Sequence, residues 1–193
     1  MATKAQRREA LVRAAIDVIG ERGLSGTRVA DIGERAGISP GHVLYYFEGK
    51  SEIFTLALRT IEDDLRADAL AAFEQRASAA ERWRWLIERS APAGPGDPRL
   101  MLWLQAWEQA PRDPDVAVVL AELERGWLGL LSEVVEYGRG TGEFRLDDAA
   151  DFAVRFAALM DGLTIQVVVG LGTLDRERML EICVRVSRAE LGF

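Results

Sequence analysis

The chain has 193 residues, 49% of them hydrophobic, enough to bury a core as one extended domain or as a small domain joined to a larger one. A single cysteine, Cys183, excludes an intramolecular disulfide, and with His42 as the only histidine the usual Cys/His zinc sites cannot be assembled. The formal net charge is −7, yet residues 1–50 hold eight Lys/Arg against six Asp/Glu while the remainder holds 16 against 25; a small cationic surface on an acidic body suits a polyanionic partner.

The opening MATKAQRREALV puts three basic groups, Lys4 among them, within eight positions and no apolar run behind them, so no signal peptide and a cytoplasmic location are expected. Leu11, Ala15, Val18 and Ile19 have the spacing of a first helix that stops near Gly20–Gly23. Thr27 offers an N-cap for a second helix carrying Val29, Ile32 and Ala36, with Asp31 near its positive end and Gly37 closing it. After a three-residue turn, Ser39 as N-cap and Pro40 at the first helical position start a third helix, and two short helices so joined make a helix-turn-helix.

On the third helix Val43 and Phe47 share a packing face, leaving Gly41, His42, Leu44 and Tyr45 to point elsewhere. A glycine early in a helix costs up to about 1 kcal/mol relative to alanine and is useful where another backbone, such as that of DNA, comes close. Lys50 begins the next helix, where the macrodipole disfavours a cation unless an anion such as phosphate is present.

Downstream, Ser78 with Glu81 reads as a capping box, and Asp97-Pro98 and Asp113-Pro114 each place a cap before a proline. Val116, Leu120, Leu123, Trp127, Leu130 and Val134 form the narrow seam of a long helix broken by Gly138, Gly140 and Gly142. Asp147 or Asp148 caps an apolar helix whose run FAVRFAALMDGLTIQVVVGL, residues 152–171, has the length of a membrane span but is interrupted by Arg155, Asp161 and Gln166, so burial inside the protein is expected. Asp175 opens a last helix to about Leu191 with Met179, Ile182, Cys183 and Val186 at helical spacing. The expectation is an all-α chain of roughly nine helices, with domains at 1–50 and 51–193.

The segment TRVADIGERAGISPGHVLYYFEGKSEIF, residues 27–54, resembles the DNA-binding region of the TetR/AcrR family of bacterial transcriptional repressors. The similarity covers a whole pattern: a helix, A-G-[IV]-S, a small residue, Gly, x, [VL], x, Tyr, x, Phe, and a lysine three residues later. It implies three N-terminal helices on double-stranded DNA, a larger helical domain for ligand binding, and homodimerisation through the last two helices. It further implies phosphate contacts from Thr27, Ser39, Tyr45, Tyr46 and Lys50, and base-edge contacts from Pro40, Gly41 and His42. Lys4 and Arg28 join this set as cations of the basic segment. Leu44 stands where many members carry tyrosine and can meet a thymine methyl, and Tyr46 replaces a frequent histidine, so the operator sequence is this chain's own.

The segments WLQAWEQAPRDP (103–114) and FAALMDGLTIQ (156–166) are similar to the C-terminal type of BetI-like members. Trp103 and Trp107 lie on one helical face, with Trp83, Trp85, Trp127, Phe156 and Met160 as candidates to converge on it; the cluster reads equally as an aromatic core or as a cavity for a hydrophobic or cationic effector, with Glu108 or Asp161 supplying charge. No phosphate-binding glycine loop or paired carboxylates of an enzyme appear, so a ligand-responsive repressor without cofactor or metal is expected rather than an enzyme, a helical carrier or a membrane protein.

Overall fold

The computed structural model describes residues 3–193 and contains, among them, nine helices and no strand. They are α1 (Lys4–Gly26), α2 (Val29–Arg35), α3 (Pro40–Tyr46), α4 (Lys50–Glu74), α5 (Ala79–Ser90), α6 (Pro98–Gln109), α7 (Pro114–Thr141), α8 (Ala149–Val169) and α9 (Arg176–Leu191). The chain divides into two compact units, one of residues 1–62 and 96–121 and the other of residues 63–95 and 122–193. The first therefore takes in more than the helix-turn-helix segment: the start of α4, all of α6 and the start of α7 belong to it.

In the first unit α1 is the central element. Leu11, Val12, Ala15, Ile16, Val18 and Ile19 are buried, a stripe wide enough to hold both α2 and α6. The helix begins with a capping box in which Gln6 N–H donates to the Thr3 hydroxyl and Thr3 N–H to the Gln6 side chain. Its regular geometry breaks at Gly23, whose φ of 73° favours glycine. At Gly20 an added Cβ would stand 2.6 Å from Pro98 Cα, so α6 crosses α1 at a spacing that only glycine permits.

The second unit is built around Trp83, Phe152, Phe156, Met160, Met179 and Cys183, all buried. Met179 and Cys183 thus face their own core, while Ile182 and Val186 on the same helix are half-buried. Helix α8 is long and apolar enough to cross a membrane by length and composition, but half of its apolar window is buried inside the protein. Its Arg155 pairs with Asp151 and Glu190.

Three sequence expectations shift. The cap of α2 is Arg28, one residue past Thr27, because Arg28 N–H reaches the Asp31 carboxylate at 2.7 Å. Helix α7 continues through Gly138 and Gly140 and ends before Gly142; Gly138 is needed not to stop the helix but to admit Phe144, whose ring would lie 2.2 Å from an added Cβ. Ser78 caps α5, but its hydroxyl and the Ala79 and Ala80 N–H groups also donate to Glu143, at 2.8, 2.9 and 3.3 Å, so a carboxylate from beyond α7 takes the place of the reciprocal Glu81 contact.

These bonds to Glu143, led by that from the Ala79 backbone, hold its carboxyl below the ordinary 4.5. A carboxyl with a depressed folded-state pKa stabilises the fold above the unfolded value and ceases to do so as pH falls through the folded one. Chemical denaturation at pH 7 and near pH 3 should therefore show a stability gap between wild type and Glu143→Gln that is present at pH 7 and closes in acid.

Candidate nucleic-acid interface and carboxylate site

Helix α3 is held by its inner side chains. Val43 is fully buried and Phe47 nearly so, and the helix lies so close to α2 that a Cβ on Gly33 would meet Ile38 O at 2.7 Å and Val43 Cγ2 at 2.9 Å. Opposite that face, Ser39, Pro40, Gly41, His42, Leu44 and Tyr45 are exposed and Tyr46 is half-buried. Leu44 and Tyr45 retain 61% and 66% of their surface, and two such residues side by side on a helix of seven form a recognition surface more readily than a packing one. Ser39 Oγ and His42 Nδ1 are hydrogen-bonded at 3.2 Å, which orients the imidazole instead of capping the backbone.

The basic start of α1 runs beside this surface. Lys4 Nζ lies 4.8 Å from the Tyr45 ring centroid, and the Arg8 guanidinium stands over Phe47 at 5.0 Å while pairing with Glu52 at 3.0 Å. The other Glu52 oxygen accepts the Glu48 N–H at 2.7 Å, tying the loop after α3 to the first turn of α4.

Two of the expected phosphate ligands are placed differently. Thr27 is 2% exposed and its hydroxyl donates to Gly23 O at 2.8 Å and Val18 O at 3.4 Å, so its side chain is spent on the corner between α1 and α2. Lys50 Nζ donates to Leu24 O at 2.6 Å and Thr27 O at 3.0 Å. The carbonyls at the negative end of α1 supply the partial negative charge that offsets its position, leaving one of the three ammonium protons for an outside acceptor. Arg28 is exposed.

The tryptophans do not form one cluster. Trp103 and Trp107, half-buried with ring centroids 6.5 Å apart, belong to α6 in the first unit. Trp83 is fully buried in the second unit, its ring 4.8 Å from Phe156 and 5.6 Å from Phe152, and its indole N–H donates to Ser187 Oγ at 2.8 Å. Ser187 in turn donates to Cys183 O at 2.7 Å. Trp83, Phe156 and Met160 are thus core residues with their polar atoms satisfied. Trp127 packs half-buried against that core. Of the expected acidic groups, Glu108 is exposed beside Arg112.

Asp161 behaves differently. It is half-buried on α8, and burial first, then the nearby charge of Glu124 on α7, push its carboxyl up to about 6. Burial raises Glu124 as well. Neither makes a hydrogen bond or ion pair among the described residues; the two carboxylates lie near enough for the charge of Glu124 to raise Asp161, and Trp127 lies one turn along α7 from Glu124. Glu124 escapes a sequence reading because it is one acid among many on an amphipathic helix, and its relation to Asp161 exists only once α7 and α8 pack.

A raised carboxyl pKa reverses the usual sign: the native state holds its proton longer than the unfolded chain, so stability falls as pH rises from about 4 through 6. After allowance for the solvent that reaches this half-buried group, Asp161→Asn should be about 1–2 kcal/mol more stable than wild type at pH 8. That advantage should vanish near pH 4 in parallel denaturation curves.

Residues 11–57 match the model of the tetR family of bacterial regulatory proteins, and residues 79–192 that of the BetI-type transcriptional repressor C-terminal domain. The chain is 34% identical over 161 residues to the HTH-type transcriptional regulator BetI of Rhizobium meliloti, covering 83% of this chain and 77% of that one. It is 29% identical over 181 residues to the protein of that name from Burkholderia thailandensis, covering 91% and 89%. Among solved structures, a transcriptional regulator from Saccharomonospora viridis in complex with choline superposes with a TM-score of 0.88 at 26% identity over 97% of this chain and 98% of the other.

Proposed function

Since the chain belongs to the tetR family of bacterial transcriptional regulators with a BetI-type C-terminal domain, we propose that it is a cytoplasmic homodimeric repressor that leaves a pseudo-palindromic operator when a small organic cation binds. The observation that carries the DNA half is the exposed face of α3, where Leu44 and Tyr45 are held outward by buried Val43 and Phe47 beside Lys4. Placed in a major groove, Pro40, Gly41, His42 and Leu44 address base edges, while Ser39, Tyr45, Tyr46, Arg28 and Lys4 reach phosphates. Lys50 contributes one ammonium proton and Thr27 acts through the corner it buttresses. Dimerisation is assigned to α8 and α9, where exposed Val154 and half-buried Ile182 and Val186 offer apolar surface and a two-fold axis would generate a four-helix contact.

The DNA assignment is checked by anisotropy titrations on operator and random duplexes. Tyr45→Phe should weaken binding to both, His42→Ala should reduce discrimination by about 1–3 kcal/mol at one base step, and log affinity should fall steeply with log salt. Salt-independent binding by folded protein would sink the assignment.

The preference for a cation rests on the unpaired Glu124 and Asp161, with Trp127 one turn from Glu124 on α7. A quaternary ammonium group gains up to about 2 kcal/mol from a desolvated tryptophan face, and relieving the repulsion between two carboxylates adds to it. Trp103 and Trp107 on α6 offer a second aromatic face at which binding can be read by fluorescence. Choline and its uncharged carbon isostere 3,3-dimethylbutanol separate charge from shape. Choline should release the operator and lose tenfold or more affinity, about 1.4 kcal/mol, in Asp161→Asn, whereas the alcohol should do neither. Equal binding of the two compounds would remove the cation from the proposal and leave a hydrophobic effector.

A further inference from the structure

The backbone of Leu24 is held on both sides of its Cα by other helices. Its N–H donates to Gln105 Oε1 of α6 at 3.1 Å, and its carbonyl accepts from Lys50 Nζ of α4 at 2.6 Å. It sits directly after the break in α1, where Gly23 has left the helical region; a Cβ there would lie 3.5 Å from Gln105 Oε1. Thr27 closes the same turn, its N–H reaching Leu24 O at 3.4 Å and its hydroxyl Gly23 O at 2.8 Å. The backbone of one residue thus joins α1, α4 and α6 at the corner that leads into α2.

Gln105 is an unexpected residue for packing alone. Helix α6 turns Leu102 and Ala106, both fully buried, to the side on which Pro98 meets Gly20 of α1. Gln105 lies seven residues from Pro98 and so shares this side. Gln105 is half-buried there, and shielding its amide oxygen costs free energy unless it finds a donor; the donor found is a backbone N–H that the break at Gly23 has freed from the helix. Pro98 on Gly20 and Gln105 on Leu24 therefore fix the register of α6 along α1 at two points. Displacing α6 by one turn, about 5.4 Å, would carry the amide out of hydrogen-bond range.

We propose that Gln105 is a positioning residue for operator binding: by accepting the Leu24 N–H it holds the α1–α2 corner, together with Lys50, in the geometry from which α2 and α3 engage DNA. The assignment rests on the operator-binding reading above. Specific binding requires α3 to enter the groove in register, whereas random DNA is held chiefly by charge, so a loosened corner penalises the operator selectively.

The test uses the full-length protein and two variants of similar size. Gln105→Met keeps the shape and removes the acceptor; Gln105→Glu keeps an acceptor at the same place. The Met variant should lose about tenfold in operator affinity and less than twofold on random duplex, with dimer mass and thermal midpoint held near wild type, and the Glu variant should recover the operator affinity. Operator affinity of Gln105→Met within twofold of wild type would overturn the proposal, and so would equal losses in both variants, which would make the role one of packing. Should the Met variant unfold, amide exchange in the unmodified protein decides: the Leu24 N–H should exchange at least tenfold more slowly when operator is bound, and an unchanged rate would overturn the proposal. Failure of the wild type itself to bind operator counts against the operator-binding reading, not against this one.

Discussion

The first unit depends on a side chain that is missing. Gly20 lets the backbone of α6 settle against α1 at a distance that no Cβ permits, and through that contact residues 96–121 pack with the N-terminal helices instead of with their sequence neighbours. The hydrogen bond from Leu24 to Gln105 spans 81 positions of the chain. Contacts so remote in sequence are costly to close during folding, and here the cost is offset by burial of Leu11, Ala15, Ile19, Leu102 and Ala106 along one seam. The helix that bears the exposed recognition residues is thus seated on a base that includes part of the second half of the chain.

The two sites have opposite charge but are built by one device, in which a charge is held without being cancelled. Lys4 rests on an aromatic ring and Lys50 leans on two carbonyls. Each is oriented, and the rings and carbonyls leave the positive charge formally intact. In the second unit Glu124 lies near enough to Asp161 for its charge to raise that carboxyl. Structural carboxylates elsewhere are treated differently: Glu143 receives four donors, counting the Thr141 hydroxyl, and Asp68 and Glu133 have arginine partners. The contrast separates carboxylates tied into the fold from Glu124 and Asp161, which have no hydrogen-bond or ion-pair partner among the described residues.

Most of the helix order was legible because local chemistry dictates it. Ser39-Pro40, Asp97-Pro98, Asp148 and Asp175 start helices where sequence alone places them. The differences have a common cause. At Thr27, Lys50, Trp83 and the glycines of α7 the residue type does not reveal what lies opposite: a threonine facing the carbonyls of the previous helix, a lysine at another helix's negative end, an indole aimed at a serine 104 positions away. Gln105 and Glu124 were overlooked for the same reason, since a glutamine on a helix and a glutamate among many carry no signal until a neighbour from another element is known.

Cys183 has so far appeared only as a filler of the second core. It is fully buried, and burial pushes its thiol up to about 11, so at neutral pH it is neither a thiolate nor within reach of an electrophile. The only cysteine in the chain is therefore closed to oxidants, thiol-reactive metabolites and mixed-disulfide formation. Thiol chemistry thus leaves no covalent record of past oxidant exposure on this regulator.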